Sequence, residues 1–142
     1  MCYFKSDDNT MCYDEMTDAL RVQFLDTHNI RRSSLALGRF VDYESNTLPT
    51  ATNMYKLWWD CDLEKESIDF IKTCPSDPTL VYYLDGKNVH TQPAGNLAFR
   101  DGVKNAIVAW FSPHRSYKGP GLSATFSGHH HREIFTYTQV FS

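Results

Sequence analysis

The chain has 142 residues, a formal net charge of −3 and 14% aromatic residues. This length suits one domain with a hydrophobic core of its own. Proteins that bind nucleic acids or acidic membranes usually carry excess positive charge, and the weak negative charge of this chain argues against such a surface. No run of residues is long and apolar enough to span a membrane. We therefore expect neither a nucleic-acid partner nor a membrane span.

Residues 1–15 form a polar lead segment without hydrophobic periodicity, and this segment contains two of the four cysteines, Cys2 and Cys12. It has no basic region followed by an apolar stretch, so we expect no signal peptide within these residues. The cysteines nevertheless favour an oxidising compartment, which predicts a secreted, extracellular protein. The folded domain is predicted over residues 16–142.

One amphipathic helix is predicted over residues 17–38. Thr17 can cap its first turn, and Gly38 can close it in the left-handed conformation. An apolar stripe with helical spacing contains Leu20, Phe24, Leu25, His28, Arg31 and Leu35.

The same helix contains the pattern H-N-x-x-R, formed by His28, Asn29 and Arg32. Buried polar groups need hydrogen-bond partners, so we expect Asn29 and Arg32 to bind backbone carbonyls or a carboxylate. His28 could serve as a catalytic base. The favoured interpretation is a half-buried structural histidine.

After a loop over residues 39–50, Thr52 or Asn53 is predicted to cap a short helical turn. Asp60 is predicted to cap a second helix that ends before Pro75. One face of this second helix contains Leu63, Ser67, Phe70, Ile71 and Cys74. The chain has three tryptophans, Trp58, Trp59 and Trp110, and we expect them in the core or against a sheet.

The second helix restricts how the four cysteines can pair. Thirteen residues of helix separate Cys61 from Cys74 by roughly 20 Å, too far for one disulfide. Two intramolecular arrangements remain, Cys2–Cys61 with Cys12–Cys74, or Cys2–Cys74 with Cys12–Cys61. Four unpaired thiols are the remaining alternative.

The second half of the chain is expected to begin with a strand at residues 80–84 and a hairpin turn at Asp85-Gly86. A third helix is predicted from Asp101, with an inward face that contains Val103, Ala106, Ile107 and Trp110. Residues 114–128 read as a loop in which His114 is exposed.

Two segments resemble a known family, MTDALRVQFLDTHNIRRSSLALG and ATNMYKLWWDCDLEKESIDFIKTC. They are similar to the N-terminal half of a CAP (SCP/TAPS) domain, in its nematode Ancylostoma-secreted-protein or venom-allergen-like branch. The resemblance is strongest over residues 16–75. The positions that match the family's motifs are His28, Asn29, Arg32, Trp59, Asp60, Asn96, Trp110, Tyr137, Thr138 and Gln139.

The resemblance implies an α+β fold, a three-layer α/β/α sandwich that lacks its last strands in this chain. Family members commonly carry two histidines and two glutamates that can hold a divalent metal. Here Gly95, Pro113 and Thr136 replace three of those four residues, and His90 is out of register with the fourth. We therefore expect no cofactor and no metal. An alternative is a compensating metal site on His129–His131, which otherwise reads as an exposed loop.

No catalytic motif is present, so we expect a protein without enzymatic activity. The resemblance implies a secreted protein that acts by binding, as a host-interaction or immunomodulatory effector of a parasitic nematode. The expected partner is a host or extracellular protein. The alternative is an extracellular sterol or fatty-acid binding protein. Neither the receptor nor its binding residues can be named from the sequence.

Overall fold

The computed structural model describes residues 11–12, 16–75, 87–93, 95 and 98–116. Its framework consists of three α-helices: α1 (Asp18–Ala36), α2 (Cys61–Lys72) and α3 (Phe99–Phe111). A short 3₁₀ turn, Ser112–Arg115, continues α3. No helix within these ranges is long and apolar enough to cross a membrane. The predicted strand at 80–84 and the turn at 85–86 lie outside the described residues.

Helix α1 matches the prediction at both ends. The Thr17 hydroxyl accepts a hydrogen bond from the backbone N–H of Leu20 at 3.4 Å. Gly38 follows the last turn with φ +66°, a conformation that glycine adopts without strain. Its backbone N–H donates to the carbonyl of Leu35 at 2.8 Å. Capping residues at both ends therefore define α1 as the sequence predicts.

The core of the described region lies between α1 and α3. Leu35 of α1 is buried, as are four apolar side chains of α3: Val103, Ala106, Ile107 and Phe111. The predicted inward face is therefore confirmed for Val103, Ala106 and Ile107. Trp110 is only half-buried, and Phe111 takes the buried position beside it.

Asp101 does not cap α3, contrary to the prediction. The helix begins two residues earlier, with Ala98 at the cap position and no side-chain cap. The N–H of Asp101 already donates to the carbonyl of Ala98 at 2.9 Å. Asp101 therefore lies in the first turn, where its negative charge still faces the positive end of the helix dipole.

The helical turn predicted after Thr52 or Asn53 is also wrong. Residues 54–60 have no regular structure, because side chains of α1 satisfy part of their backbone instead. The Asn29 amide donates to the carbonyl of Leu57 at 3.1 Å and accepts from its N–H at 2.8 Å. Arg32 donates to the carbonyl of Tyr55 through Nε at 3.3 Å and Nη2 at 3.1 Å. Asn29 and Arg32 thus bind backbone groups, as expected.

Helix α2 begins as predicted. The Asp60 carboxylate accepts hydrogen bonds from the N–H groups of Asp62 and Leu63 at 2.9 and 3.0 Å. Its buried residues are Glu64 and Ile68, whereas Leu63 and Ile71 of the predicted apolar face are largely exposed.

The expectation that all three tryptophans are internal fails for Trp58, which is 81% exposed. Trp59 and Trp110 are half-buried. Trp58 lies against solvent because the neighbouring backbone at Leu57 is bound to Asn29 on α1.

Cys12 and Cys61 form a disulfide, with Cα atoms 5.4 Å apart. This bond excludes the arrangement with Cys12–Cys74, since a cysteine forms only one disulfide. Cys61 and Cys74 lie at opposite ends of α2, so the predicted exclusion of a bond between them is confirmed. Cys74 carries an exposed free thiol. Cys2 lies outside the described residues.

His114 is buried, not exposed as predicted, with 5% of its surface accessible. Its ring packs against Phe111 and Phe40, with centroids 4.4 and 5.5 Å away. Nδ1 lies 2.6 Å from the carbonyl of Phe111, to which it donates. The 3₁₀ turn after α3 brings the His114 ring back over the end of the helix. The predicted loop does not include this turn, so it placed His114 in solvent.

Candidate functional site

The three helices surround an open groove of about 580 Å³. This volume lies within the usual range for small-molecule sites. Segments 57–60 and 87–90 complete its described wall. The residues that line it are mostly apolar and aromatic, and they include Phe24, Leu25, His28, Leu57, Trp58, Trp59, Leu63, Phe70, Ile71, Val89, Ala106 and Trp110.

One wall of the groove is a row of four rings. Phe24 lies 6.4 Å from Trp59 and 6.5 Å from His28, measured between ring centroids. His28 lies 6.1 Å from Trp110. The indole Nε1 of Trp110 is buried and has no hydrogen-bond partner in the structure as described. The row is therefore apolar, with one unused donor at the Trp110 end.

His28 is held as a neutral ring. Burial lowers its pKa, and the charge of Arg32 lowers the pKa further, against a hydrogen bond with Phe24 that raises it. Nδ1 lies 2.7 Å from the carbonyl of Phe24, so Nδ1 carries the proton. Nε2 is then the acceptor of the ring. The ring is half-buried, as the sequence predicts, and its structural role stays a prediction.

A buried ion cluster lies where α1 meets α2. Arg21 is completely buried and donates to both carboxylate oxygens of Glu64, at 2.7 and 2.6 Å. It also donates to Asp18 at 2.5 Å. The indole of Trp59 donates to Glu64 at 2.7 Å. Glu64 thus fixes the orientation of a groove-lining indole.

The cluster is ionised at neutral pH. Hydrogen bonds from Arg21 lower the pKa of Glu64, and the bond from Trp59 lowers it further. The bond to Glu64 raises the pKa of Arg21. Burial acts against both pKa shifts, because it disfavours the charged forms of Arg21 and Glu64. The two charge-assisted hydrogen bonds between them have the larger effect on both pKa values.

Arg21 and Glu64 are absent from the residues that the sequence predicts as functional. A signal for Arg21 does exist, because the positions 21, 25, 28, 32 and 35 alternate spacings of four and three. This spacing places Arg21 on the same helix face as His28 and Arg32. An arginine on a buried face requires an acidic partner, but only the fold shows which one.

The residues present do not fit the metal that the family resemblance implies. Gly95 and Pro113, which occupy two of the expected ligand positions, have no side chain that can bind a metal ion. Among the described residues, no group of three histidine, cysteine, aspartate or glutamate side chains could hold one. Thr136 and the run His129–His131 lie outside the described residues.

The structure brings only part of the predicted motif set to the groove. His28, Trp59, Asp60 and Trp110 line it. Asn29 and Arg32 instead bind the backbone of residues 55–57. The remaining positions, Asn96, Tyr137, Thr138 and Gln139, lie outside the described residues.

Comparisons with known proteins agree on one family. The model of the CAP family, the cysteine-rich secretory protein family, matches residues 25–140. The chain is 48% identical over 120 residues to the Ancylostoma secreted protein of Ancylostoma caninum. That match covers 77% of this chain and 28% of the relative, so the chain spans less than a third of the relative's length.

Two solved structures have the same fold. Na-ASP-1 matches with a TM-score of 0.80 at 27% identity, over 93% of this chain and 35% of that protein. NaASP2, solved with Zn²⁺, matches with a TM-score of 0.71 at 26% identity, over 92% of this chain and 70% of that one. Sequence and structure thus lead to the same conclusion: the chain belongs to the CAP family of cysteine-rich secretory proteins.

Proposed function

We propose that this CAP domain, folded as a three-layer α/β/α sandwich, is a secreted protein that acts by binding, without enzymatic activity. Its partner is a host or extracellular protein, as expected of an immunomodulatory effector of a parasitic nematode. The relationship to a protein named for its secretion supports the extracellular location. The Cys12–Cys61 disulfide supports an oxidising compartment.

The observation that carries this proposal is an exposed aromatic rim formed by Tyr55, Lys56 and Trp58, of which Trp58 also lines the groove. Tyr55 is 83% exposed and Trp58 81% exposed. The Lys56 ammonium lies 5.6 Å from the centre of the Trp58 ring, within range of a cation–π contact. Exposed tyrosine and tryptophan supply much of the binding energy at protein interfaces.

Hydrogen bonds from α1 hold the backbone of the rim in place. The Asn29 and Arg32 side chains bind the backbone at Leu57 and Tyr55. The segment is thus held through its backbone, and the aromatic side chains of Tyr55 and Trp58 stay exposed. A pre-positioned segment loses less conformational entropy on binding than a mobile one. The rim is therefore suited to contact a folded partner.

Binding of the fluorescently labelled protein to host leukocytes, measured by flow cytometry, tests the proposal. Saturable binding is expected, and the double variant Tyr55→Ser/Trp58→Ser should abolish it. Tyr43→Ser is the matched control, because Tyr43 is also an exposed tyrosine but lies in the 41–47 loop. Equal binding by the rim variant, or no saturable binding by the unaltered protein, would reject the proposal.

A second candidate function is binding of a sterol or a fatty acid in the groove. The specific observation that favours it is the apolar row of rings that ends at the unpaired Nε1–H of Trp110. An amphipathic ligand could bury its hydrocarbon against the rings and accept this hydrogen bond with its polar end.

Displacement of a fluorescent fatty-acid or sterol probe tests the second candidate. Trp110→Phe keeps an aromatic side chain, although a smaller one, and removes the donor, so affinity should fall by about tenfold, the equivalent of one hydrogen bond. An apolar probe without an acceptor serves as the control and should bind both proteins equally. Absence of lipid from protein purified from its natural source would count against this function.

The third candidate is a metal site on the run His129–His131. The relative NaASP2 has been solved with Zn²⁺. Zinc titration calorimetry should be carried out before and after His129 and His131 are changed to alanine. Heat that disappears in the variant would support this site, and no heat in the unaltered protein would dismiss it.

A further inference from the structure

The aromatic rim and the groove share an edge at Trp58. The indole of Trp58 lines the groove, although its side chain is 81% exposed. Tyr55, three residues earlier in the sequence, is 83% exposed. The molecule therefore presents an exposed indole directly beside an apolar opening, with a second exposed ring on the same short segment.

The groove is large enough to admit a side chain from another molecule. Its volume of about 580 Å³ lies in the range that holds small organic ligands, so an indole fits within it. On the α2 side its lining includes Leu63 and Ile71, which are 62% and 59% exposed. Large apolar side chains that are exposed together mark a surface that binds another molecule.

The start of α2 adds an excess of acidic side chains to this edge. Asp60 itself lines the groove, and Asp62 and Glu66 are exposed neighbours one helical turn apart. Within the described part of the chain, neither Asp62 nor Glu66 belongs to an ion pair, whereas Lys65 pairs with Asp69. The α2 edge of the groove is therefore negatively charged.

The rim carries the opposite charge. Lys56 is the only charged residue between positions 45 and 59. No carboxylate of the described residues pairs with it, and its ammonium lies 5.6 Å from the centre of the Trp58 ring. Two residues of extended chain span about 7 Å, so Lys56 lies close to any surface that receives Trp58. One molecule thus carries an aromatic, cationic rim and an apolar, acidic groove, and the two are complementary.

We propose that two copies of this chain associate about a two-fold axis through these two surfaces. Trp58 of each copy enters the groove of the other copy. Lys56 of each copy then meets the acidic start of the other α2, formed by Asp60, Asp62 and Glu66. Because the rim and the groove share an edge, both contacts form at once and the assembly closes as a dimer.

The area of the contact suits a weak and reversible dimer. A buried aromatic side chain removes about 150–250 Å² from water, and each copy contributes Tyr55 and Trp58. With the exposed faces of Leu63 and Ile71, the contact reaches about 1,200 Å², the lower limit of specific interfaces. We therefore expect a dimer that forms at micromolar concentrations and dissociates on dilution.

The dimer does not rest on the proposed binding function, but it has a consequence for it. Dimerisation removes Trp58 from solvent, so the second copy and a host protein compete for the same indole. The monomer is then the form that binds the host partner. The oligomeric state is measured on the purified chain alone, so its outcome is independent of the leukocyte experiment.

Sedimentation velocity of the purified full chain over a dilution series tests the dimer. At roughly 100 μM we expect twice the monomer mass of 16.4 kDa, because interfaces of this size are weak. Trp58→Ser should stay monomeric throughout. Phe99→Ser is the matched control and should dimerise, since Phe99 is 85% exposed but lies outside the rim and the groove lining. An unaltered chain that is monomeric at every concentration, or a dimer of Trp58→Ser, would overturn the proposal.

An exchange of charges tests the pairing separately from the aromatic contact. Lys56→Glu and the double variant Asp62→Lys/Glu66→Lys should each be monomeric, because like charges then meet at both contacts. An equimolar mixture of the two should restore the dimer, because each contact then joins opposite charges. All three side chains are exposed, so circular dichroism should show an unchanged fold.

Glu44→Lys is the control for the charge exchange, because it makes the same kind of change in the 41–47 loop. It should dimerise by itself as the unaltered chain does. If the mixture of the two charge variants stays monomeric, Lys56 does not meet the acidic residues of the other copy and the proposed dimer is wrong.

Discussion

Arg21 and Glu64 are 43 residues apart in the sequence, yet their side chains form a two-point ion pair without solvent exposure. This pair joins α1 to α2, and the indole of Trp59 donates to the same carboxylate. Removal of either ion leaves the other buried with only its weaker partner, Asp18 for Arg21 and the Trp59 indole for Glu64, which is more costly than loss of the contact itself. The pair is therefore a structural clamp whose parts depend on each other.

The clamp predicts strong and non-additive mutational effects. Arg21→Met should lower the free energy of unfolding by roughly 3–5 kcal/mol, because Glu64 is left charged in an apolar site. Glu64→Gln should be similarly costly. The double variant Arg21→Met/Glu64→Leu should lose less than the sum of the single variants, since Glu64 is no longer left charged when Arg21 is removed and Asp18 is the acid of the cluster that remains. Urea denaturation of all three proteins measures these differences.

An exposed ion pair on the same helix provides the control for the clamp. Lys65 and Asp69 pair across one turn of α2, and both side chains are more than half exposed. Lys65→Ala should hardly change the urea midpoint, because solvent screens exposed pairs and their ordering costs entropy. A loss equal to that of Arg21→Met would mean that burial does not explain the clamp.

Acid should destabilise the domain in two stages. Burial lowers the pKa of His114 and of His28 in the folded chain. Below about pH 6.5 the unfolded chain therefore binds more protons at these histidines than the folded chain does. The free energy of unfolding therefore falls as the pH drops below this value. Glu64, with its pKa lowered by Arg21, starts a second decline below about pH 4.3.

Urea midpoints between pH 8 and pH 3 separate the two stages. His114→Gln should flatten the first decline and leave the second unchanged. Glu64→Gln should remove its share of the second decline and leave the first. If His114→Gln retains the full slope between pH 6.5 and 5, protonation of His114 does not contribute to it.

Asn29 should prove essential for the position of the aromatic rim. Asn29→Ala removes both hydrogen bonds to the backbone of Leu57 and should cost about 2–3 kcal/mol. Hydrogen exchange at the Leu57 amide should accelerate, because its acceptor is lost. Asn29→Asp keeps the acceptor and should preserve part of that protection. Ser33→Ala, an exposed change on the same helix, is the control and should leave Leu57 protected.

Two glycines should respond oppositely to alanine. Gly38 has φ +66°, and an added Cβ would lie 2.9 Å from Cγ2 of Thr50, so Gly38→Ala should cost about 1–2 kcal/mol. Gly102 lies within α3, where an added Cβ would lie 2.8 Å from Nε2 of Gln92, the far end of an exposed side chain that can shift. Gly102→Ala should therefore be neutral or stabilising, because alanine favours helix by about 1 kcal/mol. Thermal melts of the two variants would reveal the opposite signs.

Much of the framework can be predicted from local signals. The cap at Thr17, the cap at Asp60 and the left-handed closure at Gly38 are all confirmed, since each depends on residues within one turn of the helix end. The family is confirmed for the same reason, because its motifs are contiguous in the sequence. The predictions that fail involve contacts between distant segments.

The site shows this limit most clearly. A helical turn at residues 52–58 is reasonable from propensity alone, but the Asn29 amide pairs with Leu57 from 28 residues away. His114 was expected at the surface, yet Phe40 and Phe111 enclose its ring. In both cases a tertiary contact outweighs a weak local preference.

Four features can be read from the residues alone: the family, the ends of α1, the start of α2 and the exclusion of a Cys61–Cys74 bond. The family follows from contiguous sequence motifs, and the other three follow from short-range backbone geometry, which needs no knowledge of the fold. The tertiary structure alone decided that Arg21 pairs with Glu64, that Cys12 bonds to Cys61 and that Trp58 is exposed. Burial and charge pairing depend on which segments meet in space, and helical periodicity does not contain that information.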